Sequence, residues 1–280
     1  MSSREVRVVM LTSNERRHRF AAATLAAGTN LVGIVTESKA ASVASAQADP
    51  ESPDTAVVRA HFAARDRAEI ALLGADPHLP DTEVRSVSRG EINDSRMYDW
   101  VRSREPDAVV LFGTGIIRPP LLDGLGVPMI NVHLGLSPYY RGSGTNFWPL
   151  HNGEPECVGA TVHLAVQKVD AGAILAQFRP HAERSDRAHE LGTKVIRTAF
   201  EALPAVLDAC RDGQVRPRTQ NLEIGRVYRR ADFTPESVRV MWRRFDEGMM
   251  DAYLAAVEGR RARFPIVELA RSAPASRRAD

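Results

Sequence analysis

One stretch of the chain, Ile130–Gly172, decides the fold and carries most of the candidate chemistry. It reads INVHLGLSPYYRGSGTNFWPLHNGEPECVGATVHLAVQKVDAG. An apolar run ends here in Asn131 and His133. Because residues i and i+2 of a strand point to the same side, the amide and the imidazole are predicted to project together. A loop rich in Gly and Pro follows, then a strand-like run over Val158–Val166, and then Asp170. We expect an amide, an imidazole and a carboxylate to converge on one cleft, which suffices for acid–base chemistry on a carbonyl group.

The sequence before this stretch alternates apolar runs with helical patterns. VRVVML (6–11), LVGIVT (31–36) and DAVVLF (107–112) are predicted to be buried strands, with a helix between the first two. A strand, a helix and a strand at this spacing form a βαβ unit. The predicted fold class is therefore α/β: a Rossmann-like open, mostly parallel twisted sheet with flanking helices, plus a short C-terminal extension. In such sheets ligands bind beyond the carboxyl ends of the strands, and we expect the cleft there.

Composition argues against several classes of protein. Hydrophobic residues make up 44% of the chain and charged residues 26%, as in an ordinary globular protein. A formal net charge of +2 gives no strong attraction to polyanions, so no nucleic-acid partner is predicted. The two cysteines do not support a disulfide framework. The N-terminus lacks a secretory signal, and no apolar run approaches the ~20 residues that span a bilayer. We predict a cytoplasmic protein with no membrane partner.

Three other kinds of site match the sequence poorly. No Cys-x-x-Cys or His-Glu-x-x-His spacing supports a metal hydrolase, so no metal ligands are assigned. Ser137 lies in Gly-Leu-Ser-Pro-Tyr, which lacks the last glycine of the serine hydrolase motif Gly-x-Ser-x-Gly. The Gly-Thr-Gly sequence at 113–115 is not a dinucleotide fingerprint, because Arg118 stands where a third glycine is needed.

Five motifs in the deciding stretch resemble those of the folate-dependent formyltransferase family, which includes glycinamide ribonucleotide, methionyl-tRNA and amino-sugar N-formyltransferases. They are Asn-x-His (131–133), Leu-Ser-Pro (136–138), Tyr-Arg-Gly (140–142), Gly-Ala-Thr-Val-His (159–163) and Asp-Ala-Gly (170–172). Asn-x-His alone is a weak signal, whereas five linked motifs in the family's order and spacing form a strong one. The resemblance implies 10-formyltetrahydrofolate as the formyl donor and a primary amine as the acceptor.

The resemblance also assigns residues to the site. The catalytic residues are Asn131, His133 and Asp170. The donor is expected against the loop after strand 107–112, where glycines let a flat ring approach the main chain, although a simple turn is the alternative for this loop. The donor contacts are Phe112, Gly113, Thr114, Gly115, Ile116, Ile117, Val166 and Lys168. The acceptor contacts are Arg141, Gly142 and Ser143. A loop salt bridge is the alternative for Arg141, and His163 is expected to support the site from behind.

The residue types suit transfer of a formyl group from N10 of the donor to an amine. The Asn131 amide would stabilise the oxyanion, and His133 as imidazolium would protonate the leaving nitrogen. Asp170 would accept the proton of the attacking amine directly or through water. It would alternatively pair with His133 and keep it protonated near neutral pH, because an opposite charge within ~4–6 Å raises the pKa of histidine. Each residue also has a purely structural alternative. Asn131 would be a turn residue, His133 a core histidine, and Asp170 the first residue of an Asx turn.

The chain is predicted to contain a formyltransferase catalytic domain, 1–205, and a small C-terminal extension, 206–280. The extension is expected to hold a strand or a hairpin around Arg226–Tyr228, a helix after Thr234 and a disordered tail. Residues 40–55 are predicted to be a mobile loop. The extension is too short for an oligonucleotide-binding domain of the tRNA formyltransferase kind. Residues 12–17 hold no glycine, whereas glycinamide ribonucleotide transformylases have a glycine-rich phosphate loop there. The expected acceptor is therefore a small-molecule amine: an amino sugar, nucleotide-linked or not, or a natural-product amine.

Two other functions and one assembly remain open at this stage. In a 10-formyltetrahydrofolate hydrolase, water would replace the amine at the same three residues. A non-catalytic folate- or nucleotide-binding module would make those residues incidental. An aromatic and methionine stripe in the last helical region is expected to be core or interface, and a homodimer through Trp242 is one alternative; the stripe consists of Met241, Trp242, Phe245, Met249 and Tyr253.

Overall fold

The computed structural model describes residues 5–38 and 52–269. The strands in these ranges are β1 (Arg7–Thr12), β2 (Asn30–Glu37), β3 (Val84–Val87), β4 (Ala108–Leu111), β5 (Met129–His133), β6 (Tyr140–Gly142), β7 (Ala160–Leu164), β8 (Ile174–Phe178) and β9 (Arg226–Tyr228). The helices are α1 (Arg16–Ala26), α2 (Pro53–Leu73), α3 (Ser95–Ser103), α4 (Trp148–His151), α5 (Ala188–Arg211), α6 (Pro235–Asp246), α7 (Met249–Ala255) and α8 (Val257–Ala262).

Seven of these strands form one sheet in the order β3-β2-β1-β4-β5-β7-β8. The first five in that order are parallel to their neighbours, whereas β7 runs antiparallel to both β5 and β8. Helices lie between β1 and β2, between β2 and β3, and between β3 and β4, whereas a loop without a helix joins β4 to β5. The predicted α/β fold class, a mostly parallel sheet with flanking helices, is confirmed.

Both faces of the sheet are buried, which explains the uninterrupted apolar runs of its strands. On β1, Val8 and Met10 face the larger core, which α1 and α5 cover. Val9 and Leu11 point to the opposite face and pack with Trp100 of α3. The alternation along one strand thus feeds two separate cores.

The deciding stretch supplies the strands at the centre of the site. β5 pairs with β4 in parallel, so Leu111 lies beside Asn131 at the carboxyl end of the sheet. On its other side β5 pairs with β7, which places His163 directly opposite Asn131 and Thr161 opposite His133. Residues that face each other across an antiparallel pair have neighbouring side chains. The pairing of β5 with β7 therefore adds a second histidine to the predicted amide and imidazole.

The C-terminal part of the chain differs from the predicted hairpin and single helix. Of the two predicted alternatives, the strand at Arg226–Tyr228 is present as β9, whereas the hairpin is not formed, because β9 pairs in parallel with β6. The predicted last helix is divided at Gly248, whose φ of +84° is the left-handed conformation that ends a helix. Met241, Phe245 and Tyr253 are buried in the larger core as predicted. The stripe therefore packs within the chain, and the homodimer stays a prediction.

α5 runs without a break from Ala188 through Pro204 to Arg211, and it therefore spans residue 205, where the predicted catalytic domain ends. α2 begins at Pro53, inside the predicted loop 40–55. The rest of that loop, through residue 51, and the predicted disordered tail at 272–280 lie outside the described residues. In the described ranges no helix is both long enough and apolar enough to cross a membrane.

Candidate active site

Three predicted catalytic residues meet at the carboxyl end of β5. His133 is 9% exposed, and its Nδ1 lies 3.5 Å from Oδ1 of Asp170. The Asn131 amide nitrogen donates to the same carboxylate oxygen at 3.4 Å. Asn131 and His133 come from one strand and Asp170 from the loop between β7 and β8. The convergence expected from the sequence is therefore present in the structure.

His163 of β7 joins this group as a fourth member. Its Nδ1 lies 2.9 Å from the Leu164 carbonyl oxygen, which only accepts hydrogen bonds, so Nδ1 carries a proton. In the neutral ring Nε2 is then an acceptor, and the Asn131 amide nitrogen donates to it at 3.1 Å. Nε2 of His163 also lies 3.6 Å from Oδ1 of Asp170. His163 thus contacts two of the catalytic candidates, Asn131 and Asp170, directly.

The loop that carries Asp170 depends on unusual backbone geometry. Asp170 has a φ of +52°, a left-handed conformation that Asp tolerates better than most residues. Gly172 follows so close to β7 that a Cβ atom there would lie 1.7 Å from the carbonyl oxygen of Leu164. The Asp-Ala-Gly motif therefore has a steric basis, because only glycine lets the loop return against β7 after presenting the carboxylate.

Burial changes the expected protonation state of His133. Loss of solvation lowers the pKa of His133 below its ordinary value, and this outweighs the raising effect of the Asp170 carboxylate. The expectation that Asp170 keeps His133 protonated near neutral pH is therefore wrong for the free site. Burial alone would raise the pKa of Asp170. Its neighbours His163, His133 and Arg141 nevertheless lower it below its ordinary value, because each of them favours the ionised carboxylate, so Asp170 is ionised at neutral pH.

A cavity of about 650 Å³ opens beside this group. Asn131, His133 and Asp170 line it together with His163. Seven of the eight predicted donor contacts also line it: Phe112, Gly113, Thr114, Gly115, Ile116, Ile117 and Val166. The eighth, Lys168, is exposed and is not part of the cavity wall.

The predicted acceptor contacts are divided by the structure. Gly142 lines the cavity, whereas Arg141 and Ser143 do not. The Arg141 Nη2 atom donates to the Leu222 carbonyl oxygen at 2.8 Å, and the backbone nitrogen of Ser143 donates to the Tyr228 carbonyl oxygen at 2.8 Å. Arg141 still acts on the site through its charge, which lowers the pKa of Asp170. Both residues connect the Tyr-Arg-Gly loop to the C-terminal segment.

Several cavity residues were not selected from the sequence: Arg17, His18, Arg89, Thr145, Asn146 and Phe147. Thr145 and Asn146 follow the glycine-rich loop directly, and that position is the signal that would have indicated them. Arg17 lines the cavity, but its guanidinium is already paired with Glu69 at 2.9 Å and with Glu15. An anion-binding role for Arg17 would require it to leave these carboxylates.

The cavity presents uncovered backbone and an apolar rim, which are features that bind a flat ring. The loop Gly113–Ile117, where the donor is predicted to bind and which is hereafter called the donor loop, presents backbone at Gly113 and Gly115 that no side chain of its own covers. At the mouth, Ile116, Val166 and Val169 expose 46–58% of their surface, an apolar rim for an aromatic ring. Nε2 of His133 is buried and has no hydrogen-bond partner in the described residues. Because buried polar atoms normally have a partner, this atom is available to a bound ligand. Within residues 5–38 and 52–269 no cluster of three or more His, Cys, Asp or Glu suits a metal ion.

Comparison with known proteins agrees with the motifs. The sequence profile described as formyl transferase matches residues 6–207. The chain belongs to the formyl transferase family. It is 30% identical over 154 residues to a methionyl-tRNA formyltransferase from Pelobacter propionicus; the match covers 55% of this chain and 46% of the relative. The chain thus spans about half the length of the curated relatives it matches.

Solved structures of other family members share the fold. A sugar N-formyltransferase from a Shewanella species aligns with a TM-score of 0.53 at 18% identity, covering 81% of this chain and 78% of that one. Glycinamide ribonucleotide transformylase 1 from Symbiobacterium toebii aligns with a TM-score of 0.51 at 17% identity, covering 79% and 96%. Three similar proteins thus carry three different acceptors in their names, so membership of the family leaves the acceptor undetermined.

Proposed function

We propose that this protein is an N-formyltransferase that moves the formyl group of 10-formyltetrahydrofolate to a primary amine of a small molecule. One observation carries the proposal: Asn131, His133 and His163 surround one oxygen of Asp170 at the carboxyl end of β5, beside the donor loop. An amide donor, a neutral imidazole and an ionised carboxylate are the groups that acyl transfer to an amine requires.

The donor would supply a formyl carbon bound to N10, and the chain's own residues would manage charge and protons around it. In the free site the Asn131 amide donates to His163 at 3.1 Å and to Asp170 at 3.4 Å. The bond to Asp170 is the longer one, and we expect the amide to exchange it for the formyl oxygen. Asn131 would then stabilise negative charge on that oxygen while His163 keeps the amide oriented.

His133 is assigned the proton transfer. Its Nδ1 faces Asp170, so a proton on Nδ1 leaves Nε2 with a free electron pair. Because burial lowers the pKa of His133, this neutral form prevails at neutral pH. Nε2 would take a proton from the attacking amine and return it to the departing nitrogen. Asp170 would stabilise the imidazolium between these steps and hold the ring in the required tautomer.

Two observations support a small-molecule acceptor. The formal net charge of +2 provides no tRNA-sized basic surface. The Shewanella relative is named a sugar N-formyltransferase. An amino sugar, nucleotide-linked or free, is therefore the acceptor class to test first.

The direct test is an absorbance assay with 10-formyltetrahydrofolate, a panel of amines and a blank without amine. Tetrahydrofolate release that depends on one class of amine supports the proposal and identifies the acceptor class. Equal release in the blank would instead establish a hydrolase. Asn131→Ala, His133→Ala and Asp170→Ala should each lower turnover by about 10² or more. Wild-type turnover in any of the three variants would remove that residue from the mechanism.

A further inference from the structure

The segment that follows α5 runs across the loops of the active site. Arg218 and Ile174 exchange two backbone hydrogen bonds of 2.8 Å, which attach the segment to the edge strand β8. Further along, β9 pairs with β6 of the Tyr-Arg-Gly loop. This segment, 218–228, lies beyond residue 207, where the family profile ends. It nevertheless contacts both loops that bring charged residues to the site.

Gln220 is the buried side chain of this segment, with 7% of its surface exposed. Its Nε2 donates to the Asp170 carbonyl oxygen at 2.9 Å and to the Gly172 carbonyl oxygen at 2.6 Å. Carbonyl oxygens only accept, so the orientation of the amide is fixed by these two partners. Its Oε1 is buried and has no hydrogen-bond partner in the described residues. Gln220 therefore binds the backbone on both sides of Ala171, although its own Oε1 has no partner in the described residues.

We propose that Gln220 is a positioning residue that holds Asp170 in its left-handed conformation, and that the segment 218–228 is thereby part of the active site. Backbone in this sparsely populated region persists only where the surroundings hold it. Gln220 provides such a hold, because it binds the carbonyl groups of both Asp170 and Gly172. The inference rests on the proposed function for the catalytic role of Asp170.

The same segment also holds one of the charged groups around Asp170. The carboxylate faces His133 from β5, His163 from β7 and Arg141 from β6. Arg141 in turn donates to the Leu222 carbonyl oxygen of the segment. Both the backbone of the carboxylate and one of its neighbouring cations therefore depend on residues outside the family profile.

The first test compares Gln220→Ala, Gln220→Glu and the control Asn221→Ala. Asn221 is the next residue, and its Oδ1 accepts from the nearby Glu223 backbone nitrogen. Since small misplacements of a reacting group are costly, we expect Gln220→Ala to lower kcat about tenfold, with smaller changes in KM. Gln220→Glu should lower kcat further although it is closer in size, because its carboxylate faces two carbonyl oxygens. Asn221→Ala should resemble the wild type.

The second test is independent of any substrate. The imidazole of His133 is titrated by NMR in the wild type and in Gln220→Ala, with His133→Ala to assign the signal. Because the Asp170 charge raises the pKa of His133, displacement of Asp170 should lower that pKa in Gln220→Ala. A lowered pKa without formyl transfer in the wild type would support the positioning role and refute the proposed function. An unchanged titration in a folded Gln220→Ala protein would overturn the inference, whatever happens to kcat.

Discussion

Oδ1 of Asp170 lies 3.5 Å from Nδ1 of His133, and this contact joins a loop residue to a strand residue that is 37 positions earlier in the chain. The carboxylate raises the pKa of His133, whereas burial lowers it by more. The imidazole is therefore neutral at rest and has a fixed negative charge beside it. That combination lets His133 take up a proton during the reaction and lose it again.

Asp170→Asn tests this relationship. Removing the charge should lower the pKa of His133 further, because the Asp170 charge that raises this pKa is lost while the burial that lowers it remains. If neutral His133 is the base, activity is lost as pH falls through its pKa, so the acid limb of the kcat profile should move to lower pH. The maximal kcat should fall by about 10², since the imidazolium loses its partner. A shift of the acid limb to higher pH would contradict the assignment, and Asp123→Asn serves as an exposed control.

The donor loop is held from behind by two side chains that do not line the cavity. The Glu37 carboxylate accepts from the backbone nitrogens of Gly90 at 2.8 Å and Gly115 at 2.6 Å. Asn93 donates to the Ile116 carbonyl oxygen at 3.0 Å and accepts from the backbone nitrogen of Arg118 at 2.8 Å. The loop backbone is therefore fixed on its outer side, and its inner side is left for a ligand.

Glu37→Gln should weaken this hold, because an amide has only one acceptor oxygen for two backbone donors. We expect KM for 10-formyltetrahydrofolate to rise about tenfold, with a smaller change in kcat. Asp107→Asn is the matched control, since Asp107 also accepts from a backbone nitrogen, that of Arg7, but lies at the opposite end of β4. Equal effects of both variants on KM would show a general loss of stability and no specific role for Glu37.

A histidine pair, His61 buried and His189 partly buried, predicts how stability depends on pH. Nε2 of His189 on α5 lies 3.3 Å from Nδ1 of His61 on α2. Burial lowers the pKa of His61 to about 3 and that of His189 to about 4, with the neighbouring charge of Arg65 acting in the same direction. Both rings titrate near 6.5 when unfolded, so the unfolded chain binds protons first as pH falls. The free energy of unfolding should therefore decrease below pH 6.5, by several kcal/mol at pH 4.

Urea unfolding at a series of pH values measures this decrease. The double variant His61→Phe/His189→Leu should lose most of the pH dependence, because both titrating rings are removed. We expect it to fold, because the site already contains Phe62, Phe147 and Phe233. The exposed His78→Gln serves as the control and should keep the wild-type dependence. A double variant with the same slope as the wild type would show that other groups control acid unfolding.

The fold and the first three site residues could be predicted because they depend on local patterns. The strand that ends at His133 could be predicted, since an apolar run that ends in a polar pair is typical of a buried strand at the edge of a site. The contact of His163 with Asn131 could not be predicted the same way. It requires knowledge that β5 pairs with β7 and in which register, which no local pattern contains.

Long-range packing explains the remaining errors. Arg141 turns to the carbonyl oxygen of Leu222, 81 positions away, because the C-terminal segment pairs with β6. Nothing in the sequence near Arg141 indicates that partner. The protonation state of His133 was misjudged for a related reason. The neighbouring charge of Asp170 could be inferred from the motif, whereas the burial of His133, which lowers its pKa, depends on the whole fold.

Gly172→Ala is the sharpest test of how the Asp170 loop is built. A Cβ atom at Gly172 would lie 1.7 Å from the Leu164 carbonyl oxygen, so the loop must move away from β7 and carry Asp170 with it. We expect kcat to fall by about 10² with the fold retained, because misplacement of a reacting group costs about that much. Gly192→Ala is the matched control: beyond its chain neighbours and the backbone of α5 itself, no atom of the described residues lies within 4 Å of its Cβ position, and alanine should stabilise that helix by about 0.5–1 kcal/mol. Circular dichroism and thermal unfolding establish that both variants fold. Wild-type kcat in Gly172→Ala would mean that the loop tolerates displacement, and the position of Asp170 would then not limit the reaction.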